Sequence, residues 1–266
     1  MEPLTHREED PGNDELEPVE GGKAMGFLEH LDELRQVVIR CILAFLVSLI
    51  VVIAFMPSMM AYLQYPLKQA VEAGQVTLVT SSPLGVFTVI FQIAFLGAFI
   101  LSLPFMLYFV GGFVAPALME REKRILRPVS LASIALFLLG VNFAYHLIVP
   151  ATVNVSILLN KEMGFEVLWT ADRYYSMLIW LVLGLGGAFQ FPLVLLLLVK
   201  IGLLSSEKMG SWRRYAVVIL LIFAAIVTPT PDPFTQLMVA TPLYVLYEIA
   251  IIAARMIERR IAAETL

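Results

Sequence analysis

A chain of 266 residues in which 59% are hydrophobic and 15% charged, with a mean hydropathy of +0.84, is too apolar for a soluble domain, where the apolar share is about 45–50%. It reads as a polytopic membrane protein. The formal net charge of -4 is concentrated: eight of the 22 acids lie in the first 22 residues beside a single base, Arg7, so the remainder holds 14 acids against 17 bases and is slightly basic.

Residues 1–22, rich in acids and carrying Pro3, Pro11, Pro18 and the pair Gly21 and Gly22, have no apolar periodicity and are expected to be a disordered tail. They lack the basic start and apolar stretch of a cleaved signal peptide. Residues 23–258 are read as one six-helix transmembrane domain and 259–266 as a short C-terminal tail. The segment FLEHLDELR, Phe27 to Arg35, follows the acidic tail. On a helix, Glu29, Asp32 and Glu33 share one face while Leu28, Leu31, Leu34 and Val38 gather on the other. This amphipathic helix lies at, or runs into, the cytoplasmic interface. Its acidic face is either solvated, with Arg35 as a local salt-bridge partner, or a site for a cation.

A span needs about 20 apolar residues. Six candidates follow in order: Val37 to Met56, Leu84 to Phe109, Val129 to Val149, Tyr174 to Val199, Tyr215 to Thr228, and Phe234 to Ala254. The fifth is short, reaching only about 21 Å at about 1.5 Å per residue. Pro229, Pro231 and Pro233 then stop any helix, so the fifth and sixth spans are expected to form a tight, short hairpin that thins the bilayer around it. Of the 18 Lys and Arg, 15 fall on the N-terminal side, in the loops after spans two and four, and at the C-terminus; only Lys68, Lys161 and Arg173 fall on the opposite face. Both termini are therefore expected in the cytoplasm. The longer outer loops, 57–83 and 150–173, carry Tyr62, Leu63, Tyr65, Phe165 and Trp169 and are expected to fold as interfacial caps. Cys41, the single cysteine, sits inside an apolar run and excludes an intrachain disulfide.

The segment GGFVAPALMEREKR, Gly111 to Arg124, sets Glu120 and Glu122 among Arg121, Lys123 and Arg124, with Pro116 starting a short helix. It is an ordinary charged loop or a second carboxylate site on the same side of the membrane. Within the spans, Gln92, Gln190, Asp232 with Gln236, and Glu248 need a reason, because polar groups at membrane depth are costly. Asp232 either caps the sixth helix or serves function. There is no His-Glu-x-x-His zinc motif, no Gly-x-Ser-Gly with a partner His, and no phosphate-binding glycine loop. Neither an enzyme nor a cofactor or metal is expected, and no nucleic-acid partner. Gly184, Gly186 and Gly187, inside span four, are read as allowing close helix packing.

Taken together, HLDELR (His30 to Arg35), YPL (Tyr65 to Leu67), FVAPALMEREKR (Phe113 to Arg124), GAFQFP (Gly187 to Pro192) and TPTPDPFTQ (Thr228 to Gln236) resemble, in order and over residues 25 to 260, TatC, the multispan receptor subunit of the twin-arginine protein translocase. The resemblance implies an all-α, glove-like concave bundle of six transmembrane helices in a bacterial or archaeal cytoplasmic (inner) membrane. It implies export of folded proteins driven by the proton-motive force, and a receptor for signal peptides bearing consecutive arginines. The matching signal-peptide positions are Glu33 and Glu122, with Glu29, Arg35 and Phe113 beside them. Gln190, Asp232, Gln236 and Glu248 become intramembrane polar or partner contacts, and Pro66 a structural position of the outer loop. Implied partners are TatA- and TatB-type single-span subunits packing near the fifth span, the lipid bilayer, and further copies of the chain in the receptor complex. The family commonly has Glu where this sequence has Gln190, which cannot titrate.

The chemistry fits. Consecutive side chains of an extended peptide point to opposite sides, so two adjacent arginines suit two separated carboxylates. Guanidinium also offers a rigid fork that carboxylate accepts in bidentate fashion, whereas Lys presents a compact ammonium. Two rival readings stand beside this one: a transporter binding a cation through Asp232 and Glu248, and a membrane-bound enzyme.

Overall fold

The structure, a computed structural model, describes residues 27–80, 82–114, 123–229 and 232–264; side chains are described for the same residues less 27–30, 69, 114, 123–127, 262 and 264. The acidic tail, Glu120 and Glu122 lie outside the described residues, and so does the side chain of Glu29. The first helix, α1 (Phe27–Ala54), is unbroken. The acidic segment and the first span are thus one helix, because no Gly or Pro separates Glu33 from Val37 and the intervening residues are good helix formers.

The chain turns at Phe55 into α2 (Met56–Glu72), which carries Pro66 in its interior, then into the short strand β1 (Thr77–Val79). The second span is α3 (Gly85–Val114). The third is longer than its apolar run: α4 (Lys123–Phe143), a π turn (Ala144–Ile148) and α5 (Val149–Glu162) succeed one another without a break. The expected loop from residue 150 is therefore mostly helix. Strand β2 (Leu168–Thr170) follows and pairs in parallel with β1, Leu78 opposite Trp169. The two outer segments do fold as a cap, and this small sheet is an addition to an otherwise helical fold.

Span four is two helices, α6 (Ala171–Ala188) and α7 (Phe191–Lys200), separated by a turn at Phe189 and Gln190. After the short α8 (Ser206–Ser211), α9 (Arg213–Val227) has 15 residues, about 22 Å. Among the described residues, five helical stretches are long and apolar enough to cross a membrane, and α9 falls short, as expected of the fifth span. The sixth differs from expectation: α10 (Pro233–Glu264) has 32 residues. It continues past Ala254 because Arg255, Met256, Glu258, Arg259 and Arg260 are helix formers with no breaker among them.

The main core joins α2, α3, the π turn, α5, α6, α9 and α10 around Ile93, Ile148, Tyr175, Leu178 and Leu181. Close approach of α4 to α6 depends on glycine. A Cβ on Gly140 would lie 2.9 Å from the Leu185 carbonyl oxygen, and one on Gly186 would lie 2.7 Å from the Phe137 ring. The packing role expected of Gly184 and Gly186 holds, with Val227 against Gly184; Gly187 instead faces open space. By contrast α1 stands off the bundle. Only 11% of its apolar window is buried, against 39% in each of the other four spans, and it leans chiefly on α3.

Candidate functional site

At the end of the bundle where α1 begins, α1, the last turn of α3 and the first turns of α4 enclose an open cleft of about 680 Å³. Helical spacing brings Glu33, Gln36, Val37 and Arg40 onto the α1 wall, while α3 supplies Tyr108, Phe109 and Phe113, and α4 supplies Ser130, Leu131 and Ile134. Gly111 and Gly112 open the floor beside Phe113. The result is a largely apolar, aromatic chamber whose α1 wall carries one carboxylate, Glu33, and one guanidinium, Arg40, seven residues further along the helix.

Glu33 is half-buried, and its Oε2 atom has no hydrogen-bond partner among the described residues. Arg35 does not neutralise it. That guanidinium lies 3.0 Å from Asp32, and both side chains are well exposed. The acidic face therefore divides: Asp32 is a solvated ion-pair partner, as the plainer reading of the sequence has it, and Glu33 turns into the cleft. A carboxylate oxygen withdrawn from water without a partner is costly. A guanidinium entering beside the aromatic walls would relieve that cost with two charge-assisted hydrogen bonds.

The polar groups along the spans behave differently. Asp232 accepts a hydrogen bond from the Thr235 N–H at 2.7 Å and another from its hydroxyl, so it caps α10. Gln236 donates to the Leu221 carbonyl at 2.9 Å and ties α10 to α9. Gln190 accepts from the Ser133 hydroxyl and donates back to the Ser133 carbonyl at 3.0 Å, joining the α6–α7 turn to α4. Glu248 meets Arg213 in a bidentate pair at 2.7 and 2.9 Å and accepts from the Tyr244 hydroxyl at 2.9 Å. Gln92 donates to Ser176 at 2.8 Å, from α3 to α6. In this chain each of these side chains has an internal partner, although the Gln92 Oε1 accepts no hydrogen bond among the described residues.

Asp232, just ahead of α10, and Glu248, within it, stand sixteen positions apart, about 24 Å along the helix. They form no common cation site, which removes the geometric basis of the transporter reading. Among the described residues no group of three or more His, Cys, Asp or Glu is placed to hold a metal.

Sequence reasoning passed over Gln36, Arg40, Tyr108 and Ser130 in the cleft, and Ser133, Arg213 and Tyr244 as internal partners. Continuing the helical face of Glu33 by three and seven residues would have found Gln36 and Arg40. The others required the packing of separate helices.

A second cavity, about 570 Å³, is apolar and lies between α1, α2, α3, α4 and α6, with Met59, Leu63, Tyr62 and Tyr145 toward the cap.

Comparison with known proteins places the fold in a family. The family described as Sec-independent protein translocase protein (TatC) matches residues 29–242. The chain is 35% identical to the TatC protein of Aquifex aeolicus, covering 89% of this chain and 97% of that one. It is 33% identical to that of Synechocystis, covering 88% and 89%. A further relative, from Akkermansia muciniphila, is 39% identical over 62% of this chain, and there the match spans about half, 48%, of the relative's length. The crystal structure of a twin-arginine translocase receptor, TatC, in the detergent DDM superposes with a TM-score of 0.74 at 35% identity, covering 85% of this chain and 99% of that one. The match runs from the first turns of α1 into α10, and on it this multispan membrane chain belongs to the TatC family of Sec-independent protein translocase proteins.

Proposed function

We propose that the chain is the signal-peptide receptor of a twin-arginine translocase that exports folded proteins with the proton-motive force, and that the cleft at the start of α1 receives the consecutive arginines. The observation that carries this reading is the Oε2 of Glu33, which has no partner among the described residues and lies in an aromatic-walled cleft, next to an Arg35 already engaged by Asp32. Glu122 supplies the second carboxylate. It directly precedes α4, whose Ser130 lines the same cleft, and it is two positions from Arg124 and Glu120 in a segment rich in charge. Phe113 packs against the peptide between the two acidic sites, and Glu29, one turn before Glu33, widens the negative field. Two separated carboxylates suit side chains that leave an extended peptide on opposite sides.

The start of α1 and the basic loops face the cytoplasm of a bacterial or archaeal cell, with both termini there. Single-span TatA- and TatB-type subunits dock on the short fifth span, where Val218, Ile219, Ile222 and Ile226 of α9 are exposed, and several copies of the chain assemble in the receptor complex. The polar contact at Gln190 is structural, since an amide already bonded to Ser133 neither titrates nor carries protons.

Export of a twin-arginine reporter in cells tests this. The Glu33→Gln, Glu122→Gln double variant, inserted and abundant, should not export; normal export would refute the proposal.

A further inference from the structure

Pro66 lies in the interior of α2. Proline has no N–H, so within a helix the carbonyl four residues earlier loses its donor. Here that carbonyl belongs to Tyr62, and the Tyr145 hydroxyl donates to it. The contact is partly buried, and a carbonyl withdrawn from water without a donor costs free energy, so the replacement donor matters.

Tyr145 reaches α2 through a second proline effect. It sits in the π turn Ala144–Ile148, which closes through the Val149 N–H onto the Ala144 carbonyl immediately ahead of Pro150. A π turn holds an extra residue and so rotates the following helix face by about 100°. Tyr145 is buried there, and its ring stacks on Tyr62 with centroids 4.7 Å apart and planes inclined by 17°. The two rings, with Met59 and Leu63 of α2, line the cap side of the apolar cavity.

We propose that Tyr145 is the positioning residue of the cap: its hydroxyl replaces the donor that Pro66 removes, and thereby holds α2 as the roof of the apolar cavity. The ring contributes packing, but the hydroxyl is the specific element. Because residue 66 is proline, this hydroxyl stands in for the missing helical donor at the Tyr62 carbonyl instead of adding to one. Tyr174 provides the internal contrast. Its hydroxyl bonds the next carbonyl, Leu63, at 2.9 Å, yet four residues on from Leu63 stands Leu67, which keeps its N–H.

The test uses the full chain in lipid vesicles, with the single Cys41 replaced by Ala and spin labels placed at 68 on α2 and 161 on α5, both outside the core. Tyr145→Phe should broaden the distance distribution and raise the detached population of α2 about tenfold, the effect of one lost hydrogen bond at an otherwise unserved carbonyl. Pro66→Ala restores the N–H to Tyr62, and in that background Tyr145→Phe should add little. Equal effects of Tyr145→Phe in both backgrounds, or none in either, would overturn the proposal. Should Pro66→Ala fail to insert, the comparison within the Pro66 chain decides: Tyr145→Phe must loosen α2 more than Tyr174→Phe does, and an equal or smaller effect would overturn it.

Discussion

At the capped end, α2 is held by two tyrosine hydroxyls and by the β1–β2 pairing, and its Leu63 and Leu67 are 5% and 1% exposed. At the opposite end, where α1 begins, a cleft of about 680 Å³ stands open and a carboxylate oxygen of Glu33 has no partner among the described residues. The same chain thus serves two carbonyls of α2 with tyrosine hydroxyls, and turns a carboxylate into an open cleft. Buried polar groups are normally bonded. Thr152 and Tyr175 of the core also keep a buried oxygen without a partner among the described residues, so what sets Glu33 apart is that its group is a carboxylate and faces an open cleft, which is what the proposed meeting with a cation requires.

That contrast can be broken most severely at the cap. Leu67→Ala removes a fully buried side chain from α2 and should cost about 2–5 kcal/mol of stability, read as a lowered melting temperature in detergent. Arg213→Ala comes next. It removes the bidentate partner of Glu248, and because both charged side chains keep some exposure, 45% and 30%, the melting temperature should fall by clearly less than for Leu67→Ala. A melt unchanged by Arg213→Ala would show that the pair is idle. Asp32→Asn should cost under about 0.5 kcal/mol, since the exposed pair with Arg35 is worth little, and peptide binding should survive. Glu33→Gln acts from the other side: its stability should stay within about 0.5 kcal/mol of the parent or rise, because a half-buried charge whose Oε2 has no partner among the described residues is removed, while export of a twin-arginine reporter falls. A variant that loses function and stability together would place Glu33 among the structural residues.

Much of this fold is legible in the sequence. The five long hydropathic runs and the short α9 follow from composition and from the prolines after Thr228. Capping by Asp232 follows from its place before Pro233. Other features depend on tertiary packing. Pro150 would ordinarily mark a helix end, but the π turn absorbs it, and the helical rod runs on to Glu162. The turn at Gln190 has no strong breaker ahead of Pro192; it is stabilised by Ser133 on another helix. Strands β1 and β2 have three residues each and lie some 90 positions apart, so neither has a local signature. In the cleft, Glu33 and Phe113 were visible through motif and spacing, whereas the division of labour between Asp32 and Glu33 depends on which way each side chain leaves α1.

Binding of a labelled signal peptide with consecutive arginines, beside a twin-lysine control, to the purified chain and to the Glu33→Gln, Glu122→Gln variant addresses the cleft directly. The arginine peptide should bind, the lysine peptide should bind at least about tenfold more weakly through loss of the bidentate fork, and the variant should lose the arginine peptide. Equal binding of both peptides, undiminished in the variant, would contradict the account and leave Glu33 an unpaired carboxylate without a recognition role.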